Sequence, residues 1–166
     1  MTVALTLPVW PPAGNAFFNR AAQVFNAWRD LGSPIPYTLA MLTQAEFESA
    51  FKWNAVGDNG TAFNMYQWHW NPRGIAILAH TGIDVRTEQS IKRIVEAANW
   101  ELSTVEKKAR DAMLAATNAR DASIAACKLF EGAGAQNAAE RRGLGAERWA
   151  VWITNNAGFV KANPAQ

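Results

Sequence analysis

Apolar side chains recur every three or four residues along most of this chain, and this is the spacing of amphipathic helices. In residues 15–30, Asn15 is a favoured N-cap residue and Gly32 marks the end of the helix. The helix expected over residues 36–51 opens on a proline, which is favoured in a first turn. Further helices are predicted at 73–80, 87–116, 118 or 121 to 130, and 136–160, with the glycines of 143–145 as a point where the last could be interrupted.

A turn of glycine and polar residues breaks the helical pattern at 57–60 (Gly-Asp-Asn-Gly). Because Asn-Gly between apolar residues is a strong hairpin signal, we expect strands at Val56 and at 62–63. The pattern therefore predicts an α+β, mostly α-helical domain over residues 15–166 with one small β-hairpin. Residues 1–14 are apolar and punctuated by prolines. We interpret them as an extended N-terminal arm that docks on a partner or packs along the domain.

The composition is typical of one globular domain and argues against two kinds of partner. Hydrophobic residues make up 49% and charged residues 18% of the 166 residues. The net charge of +2 comes from scattered basic residues, so we expect no nucleic-acid partner. No apolar run approaches the ~18 residues of a membrane span, and the first residues lack the basic segment of a signal peptide.

Cysteine and histidine are too rare to indicate a metal or disulfide site. Cys127 is the single cysteine and is expected to be a small buried hydrophobe. His69 and His80 are far apart in sequence, and we expect no cofactor. The eight tryptophans suit either core packing or a carbohydrate groove.

Residues 46–69 carry the candidate chemistry. A carboxylate lies at the end of a predicted helix, a polar turn with a second carboxylate follows, and aromatic and amide side chains come next. Cleavage of a glycosidic bond needs a carboxylic acid that protonates the leaving oxygen. Aromatic faces can lie against sugar rings. The segment therefore predicts a polysaccharide-cleaving site.

The motifs of this segment follow one another in a specific order. They are Glu-Ser-Ala-Phe at 48–51, Asn-Ala-Val-Gly-Asp at 54–58, Gly-Thr-Ala-Phe at 60–63, Gln-Trp-His at 67–69, and Arg73. This order resembles the active-site region of the phage tail lysozyme family, which is similar to goose-type lysozymes and lytic transglycosylases. The resemblance implies a lysozyme-like fold.

Weaker matches to the same family lie downstream, at 99–102, 130–131 and 139–142, so the resemblance covers roughly residues 17 to 150. Within the last of these, Arg141 and Arg142 are interpreted as a solvated or locally paired face.

The resemblance implies that Glu48 is the general acid. It lies in the last predicted turn of its helix, beside aromatic residues at 47, 51 and 53. Burial beside aromatics and the end of a helix dipole both favour a protonated carboxyl. Glu46 is the alternative, because helical periodicity does not separate the two residues and only the motif selects Glu48.

Asp58 is the candidate second carboxylate, although a Gly-Asp-Asn-Gly turn also forms without any function. In goose-type lysozymes a loop Asp helps to place the attacking water, and His69 stands where those enzymes have a further Asp. Lytic transglycosylases need only the Glu, because a hydroxyl of the substrate attacks. The sequence leaves both reactions open.

The resemblance also implies a set of substrate-binding residues. Gln67 corresponds to an amide that binds an N-acetyl group, and Arg73 is equally a structural residue at a helix start. Tyr66, Trp68 and Trp70 are candidate stacking faces, although one of the two tryptophans could be packed and the other exposed. The predicted substrate-binding residues are Ser49, Thr61, Phe63, Tyr66, Gln67, Trp68, His69 and Arg73.

Two residues depart from the family pattern, since Ala50 and Asn64 stand where the family has glycine. Asn tolerates positive φ better than other residues with a side chain, so the backbone at 64 can be retained. We expect the Asn64 side chain to narrow the approach of a sugar.

The sequence thus predicts a glycosidase that cleaves the β-1,4 bond between N-acetylmuramic acid and N-acetylglucosamine in peptidoglycan. Its expected partners are glycan strands and, through residues 1–14, phage tail or baseplate proteins. Assembly into a phage or phage-like tail or injection particle would deliver it to the periplasm or cell wall without a signal peptide, and release as an endolysin is the other route. The alternatives are a chitinase-like hydrolase and a non-catalytic virion structural or wall-binding protein with the same fold.

Overall fold

The first helix, α1, runs from Asn15 to Asp30, as the spacing of its apolar residues predicts. Phe17, Phe25 and Trp28 lie on its buried face. The computed structural model describes residues 15–132 and 136–166, so the predicted arm at 1–14 lies outside the described residues. The other helices in the described part of the chain are α2 (Ile35–Ser49), α3 (Ile75–Thr81), α4 (Ile91–Ser103), α5 (Lys107–Ala115), α6 (Ala119–Leu129), α7 (Gln136–Asn155) and α8 (Ala157–Lys161).

The small sheet has three antiparallel strands, β1 (Val56–Gly57), β2 (Ala62–Phe63) and β3 (Trp68–His69). The predicted hairpin is confirmed, because Val56 pairs with Phe63 and Gly57 with Ala62. The third strand was not predicted, and it pairs Ala62 with His69 and Phe63 with Trp68. The architecture is the expected mostly helical α+β, lysozyme-like fold.

The long helix predicted over residues 87–116 is wrong, because two helices, α4 and α5, occupy this segment. Thr104 leaves the helical conformation with φ −125° and ψ −79°, and its hydroxyl donates to the carbonyl of Trp100 at 2.8 Å. Val105, which continues the apolar spacing of the predicted helix, is 65% exposed. The predicted start at Thr87 is also too early, since the N-cap is Ser90, whose Oγ accepts a hydrogen bond from the N–H of Arg93.

The interruption considered at residues 143–145 does not occur, and α7 continues through both glycines to Asn155. A Cβ on Gly143 would lie 2.9 Å from Arg120 on α6, and one on Gly145 would lie 3.0 Å from Phe47 on α2. The glycines therefore act as close-packing positions, where α7 approaches both neighbouring helices. The real break follows Asn155, before the short helix α8.

The core lies between the helices and the inner face of the sheet. Trp28 of α1 donates from its indole N–H to the Tyr66 hydroxyl at 2.9 Å, and that hydroxyl donates to the carbonyl of Met41 at 3.3 Å. All three side chains are fully buried. Cys127 is buried, as its apolar surroundings in the sequence predict. These bonds fix the turn before β3 against α1 and α2.

The end of α2 has an unusual backbone that positions its last turn. Ala50 has φ 52° and ψ 42°, and Phe51 has φ 62°, so two consecutive residues with side chains are left-handed. The N–H of Ala50 donates to the carbonyl of Glu46 at 2.8 Å, and that of Phe51 donates to Ala45 at 3.3 Å. Phe51 is fully buried. The buried ring therefore holds a conformation that glycine would adopt without strain.

Replacing Ala50 with Gly is expected to stabilise the protein by about 0.5–1 kcal/mol, because relief of the left-handed strain exceeds the extra entropy that glycine loses on folding. Urea denaturation of both proteins measures the difference in the free energy of unfolding. The contrasting variant is Asn64→Gly, which also has positive φ (69°) but carries hydrogen bonds. It should lose roughly 1–3 kcal/mol. Destabilisation by Ala50→Gly would show that Ala50 is not strained.

Candidate active site

Glu48 lies in the last turn of α2, where the carboxylate was predicted, and it contacts an arginine from α7. Arg142 donates from Nη2 to Glu48 Oε1 at 2.5 Å and from Nη1 to Gln44 Oε1 at 2.5 Å. The Arg142 side chain is 10% exposed and that of Glu48 is 20% exposed. The prediction of a solvated or locally paired face at Arg141 and Arg142 is therefore wrong for Arg142, which pairs across 94 residues of sequence. Arg141 is exposed.

Glu46, the alternative acid, occupies a different environment on the same helix. Arg148 Nη2 lies 2.5 Å from its Oε1 and 2.7 Å from its Oε2, and the indole N–H of Trp149 donates to Oε2 at 2.6 Å. Its side chain is 11% exposed. Three close donor contacts and low exposure make Glu46 a buried ion-pair partner in the contact between α2 and α7.

Asp58, Thr61 and His69 come together on the outer side of the sheet. His69 Nε2 lies 3.0 Å from Asp58 Oδ2, and His69 Nδ1 lies 3.3 Å from Thr61 Oγ1. The Thr61 hydroxyl also donates to the backbone carbonyl of Asp58 at 2.8 Å. All three residues are exposed. His69 thus lies within ion-pair distance of Asp58 on the surface, where both side chains can contact water or a ligand.

These residues border a cavity of about 430 Å³ beside the sheet. Phe63 and Trp70 are half-buried and supply its aromatic walls. The guanidinium of Arg86 lies 3.6 Å from the centre of the Trp70 ring and forms an ion pair with Asp84 at 2.7 Å. The lining residues are Gly60, Thr61, Phe63, His69, Trp70, Asn71 and Arg86. Glu48 is not among them.

Tyr66 and Trp68, predicted as stacking faces, are fully buried, so neither ring presents a face to a sugar. Both belong to the core, and the Trp68 indole N–H donates to Glu101 Oε2 at 2.8 Å. One of the two tryptophans was expected to be packed and the other exposed if they were not both stacking faces. This alternative fits the structure, since Trp68 is packed and Trp70 is partly exposed. The physical reason is the alternation of side chains along a strand, which turns residues 68 and 69 to opposite faces.

Ser49 and Gln67 support the local backbone. The Ser49 hydroxyl donates to the carbonyl of Met65 at 3.0 Å, which links the end of α2 to the turn before β3. The Gln67 amide N–H donates to the carbonyl of Asn64 at 2.8 Å. Its Oε1 lies so close to Gly57 that a Cβ there would be only 2.2 Å away. Glycine at 57 is therefore required to seat this amide.

Asn64 does not narrow a sugar-binding surface, so that expectation is wrong. Its side chain is buried and donates to the carbonyls of Val85 at 2.8 Å and Glu88 at 3.0 Å. Its Oδ1 accepts from the N–H of Met65 at 2.7 Å. With φ 69°, the backbone keeps the conformation that glycine would have, while the side chain points inward. The hydrogen bonds of Asn64 therefore connect the turn before β3 to the segment before α4.

Arg73 forms an ion pair with the buried Glu101. Its Nε and Nη2 donate to the two oxygens of Glu101 on α4 at 2.7 and 2.9 Å. The guanidinium also lies 4.8 Å from the centre of the Phe130 ring. Glu101 is almost completely buried. The geometry supports the structural interpretation of Arg73, at the turn Trp70–Gly74 that leads into α3.

Glu131 was not identified as a site residue from the sequence, yet it has the most perturbed carboxyl among the described residues. Burial and, after it, the negative charge of Glu48 raise the pKa of Glu131 from its usual value to about 8. The cations Arg73 and Arg142 act in the opposite direction. Its Oε1 is buried and has no hydrogen-bond partner among the described residues. The only sequence signal was the match at 130–131, which indicated resemblance without a role.

Residues 15–132 and 136–166 contain no group of three or more His, Cys, Asp or Glu placed to hold a metal ion. No helix in the same residues is both long and apolar enough to cross a membrane.

The model of the phage tail lysozyme family matches residues 19–153. The chain belongs to this family. Membership extends over most of the described helices, from α1 through nearly all of α7. It makes the protein a member of a peptidoglycan-lytic, lysozyme-like family, as the motif order predicts. Comparison with curated proteins and with solved structures gives no match.

In this family member, we expect stability to depend on the charge of Glu131. A carboxyl whose folded pKa is raised from 4.5 to about 8 contributes stability that is fully present below about pH 4.5 and is lost as the pH rises to about 8. Glu131→Gln should therefore lose less stability between pH 5 and pH 8.5 than the wild type. Urea denaturation at both pH values measures this difference.

The matched control for this titration is Glu147→Gln, an exposed carboxyl on α7. It should keep the pH dependence of the wild type. Equal pH dependence in the wild type and in Glu131→Gln would show that Glu131 is ionised in the folded protein at neutral pH.

Proposed function

We propose that this phage tail lysozyme family member cleaves the β-1,4 bond between N-acetylmuramic acid and N-acetylglucosamine in peptidoglycan, with Glu48 as general acid. The reaction needs a carboxyl that gives a proton to the glycosidic oxygen as the bond to the sugar carbon breaks. Family membership supports the substrate class. The choice of acid rests on the geometry of α2.

The observation that carries the choice is the contrast between the two glutamates of the last turn. Glu46 is held by Arg148 and Trp149, whereas Glu48 has one arginine contact and nearly twice the exposed fraction, 20% against 11%. A general acid must reach its substrate and must lose and regain a proton. Glu48 suits these requirements better, because fewer fixed donors hold it as a carboxylate.

The residues that follow Glu48 hold its helix end in a fixed position, as a general acid requires. The hydrogen bond from Ser49 to Met65 ties the helix end to the sheet, and the buried Phe51 fixes the left-handed backbone that follows. A catalytic group gains from such support, because displacement of about 1 Å lowers the rate strongly. Ser49 acts in this proposal through position and not through contact with the sugar.

The cavity beside the sheet supports binding of a glycan strand. Phe63 and Trp70 offer partly exposed rings, and Thr61, His69 and Asn71 add hydrogen-bonding groups around the same space. Partly buried aromatic walls with a few polar groups are typical of small-ligand sites. We assign this surface to sugars adjacent to the cleaved bond, with Gln67 available at the inner edge of the turn.

Asp58 and His69 distinguish the two reactions of lysozyme-like enzymes. Hydrolysis needs an attacking water molecule, and the side chains of Asp58 and His69, 3.0 Å apart, provide acceptors for such a water. A lytic transglycosylase uses a hydroxyl of the substrate and needs neither residue. The cluster of Asp58, His69 and Thr61 favours the hydrolase.

We further propose that the protein works as part of a phage or phage-like tail or injection particle. Residues 1–14 would contact tail or baseplate proteins, and the particle would deliver the domain to the periplasm or cell wall. Family membership supports association with a virion.

A second candidate function is non-catalytic binding of the cell wall or of neighbouring virion subunits. The contact of Arg142 with Glu48 at 2.5 Å favours it, because a guanidinium stabilises the charged carboxylate and opposes its use as an acid. Asn64 gives no support to this alternative, since its side chain points into the protein.

Replacing Glu48 with Gln is expected to lower the release of soluble fragments from purified peptidoglycan at least about 100-fold, because the amide cannot donate the proton. Mass spectrometry of the products measures release and identifies the ends. Reducing N-acetylmuramic acid ends indicate a hydrolase and 1,6-anhydro ends indicate a transglycosylase. Chitin as a parallel substrate tests the chitinase-like alternative.

Glu46→Gln is the matched variant for the choice of acid, and it should retain the wild-type products once its folding is verified by circular dichroism. If the folded wild type releases nothing, the non-catalytic function is correct. If Glu48→Gln releases as much as the wild type, another residue is the acid.

Replacing Asp58 with Asn should reduce the hydrolytic rate by about tenfold or more, because the amide is a poorer partner for His69 and for the attacking water. Thermal stability should change little, since Asp58 is exposed. Rates of release of reducing ends measure the effect. Unchanged rates would indicate that Asp58 serves only the turn.

A further inference from the structure

The buried charges around Glu131 do not balance. Glu131 interacts with two cations, Arg73 and Arg142, and with two other carboxyls, Glu48 and Glu101. If all five groups are ionised, the cluster carries one uncompensated negative charge. Such a charge is costly in a buried site, whereas one added proton makes the cluster neutral.

The hydrogen bonds indicate where that proton rests. Glu101 accepts three donors, two from Arg73 and one from Trp68, and is held as a carboxylate. Glu48 accepts from Arg142 at 2.5 Å. Glu131 Oε1 is buried without a hydrogen-bond partner among the described residues. A neutral carboxyl therefore costs least free energy at Glu131.

We propose that Glu131 is a positioning residue that shares one proton with Glu48, keeping it while the site is empty and yielding it to Glu48 for cleavage. This inference rests on the proposed role of Glu48 as the acid. The shared proton also explains how Glu48, a carboxyl beside an arginine, can act as a general acid. When the proton moves to Glu48, Glu131 becomes the carboxylate that faces Arg73 and Arg142, and the total charge of the cluster does not change.

The proton balance over one cleavage is closed. Glu48 gives the shared proton to the glycosidic oxygen as the bond between that oxygen and C1 breaks. The attacking water, or the attacking hydroxyl of a transglycosylase substrate, forms its bond to C1 and releases one proton. In the hydrolase the Asp58–His69 group accepts that proton and passes it to solvent, and the Glu48–Glu131 pair regains one proton from solvent. In a transglycosylase Glu48 can accept it directly, so no other reactant is needed.

The remaining titratable groups that face Glu131 do not compete for the proton. Burial raises the pKa of Tyr66, in the turn before β3, and burial likewise raises that of Cys127 on α6. Both stay neutral when the carboxyls titrate. The groups that interact with Glu131 from the packed elements are therefore Glu48 on α2, Arg73 before α3, Glu101 on α4 and Arg142 on α7, besides these two.

The first test is a carbon-13 NMR titration of the glutamate side-chain carboxyls in the full-length protein. We expect one carboxyl of the wild type to titrate above pH 7 and to be absent in Glu131→Gln. The wild-type spectrum alone is informative if the variant does not fold. If every glutamate carboxyl of the wild type titrates below pH 6, the inference is wrong, whether or not the protein cleaves peptidoglycan.

The second test is the pH dependence of peptidoglycan cleavage. In Glu131→Gln the cluster has no proton to yield to Glu48. The alkaline limb of the pH–rate profile should therefore move to lower pH by about one unit or more. The rate of this variant at pH 7 should fall at least about tenfold and should recover substantially in more acidic solution, where solvent can supply the missing proton. The control Glu147→Gln should keep the wild-type profile.

A purely structural role for Glu131 predicts a different result, namely an equal loss of rate at every pH with no shift of the limb. That result overturns the inference. So does retention of activity in Glu48→Gln with complete loss in Glu131→Gln at every pH, because Glu131 would then be the acid. Absence of cleavage by the wild type would refute the proposed function, and the NMR titration would still decide whether Glu131 holds the proton.

Discussion

The contact between Arg142 and Glu48 is the interaction on which the arrangement of the site depends. It buries a guanidinium between α2 and α7, where Gln44 accepts its second hydrogen bond. A buried cation is tolerated only with its partners in place, so α7 must lie close to α2. Gly145 permits that approach, because a side chain there would press on Phe47. Helix packing and site electrostatics therefore have one common cause.

The same contact creates a chemical difficulty that the rest of the cluster relieves. An arginine at hydrogen-bond distance favours a charged carboxylate, whereas a general acid must carry a proton. Three carboxyls and two guanidiniums interact in the site, and the proposed proton balances their charges. It rests on Glu131, whose buried Oε1 has no hydrogen-bond partner among the described residues. The balance of charge and the need of a general acid for a proton therefore both favour one bound proton in the cluster.

The sequence predicted local features well where neighbouring residues control them. The bounds of α1 follow from the N-cap residue Asn15, the glycine at 32 and the helical spacing of apolar residues between them. The hairpin follows from Asn-Gly between apolar residues. Predictions that depended on distant parts of the chain were less accurate. Thr104 divides a segment whose apolar spacing continues, and Gly143 and Gly145 look like helix breakers although they serve helix packing. Tyr66 and Trp68 were assigned to sugar because a sequence does not show which face a two-residue strand buries.

By itself the sequence determined the fold class, the family and the segment that carries the carboxylates, because caps, turn residues and motif order act over short distances. Only the tertiary structure decided which partner each carboxylate has. Glu46 and Glu48 are two residues apart, yet Arg148 meets one and Arg142 the other from about a hundred residues away. Asn64 likewise reads as an obstacle in the sequence and is a buried tether in the fold. Electrostatic environment depends on distance in space and on burial, and these are fixed only when the helices pack.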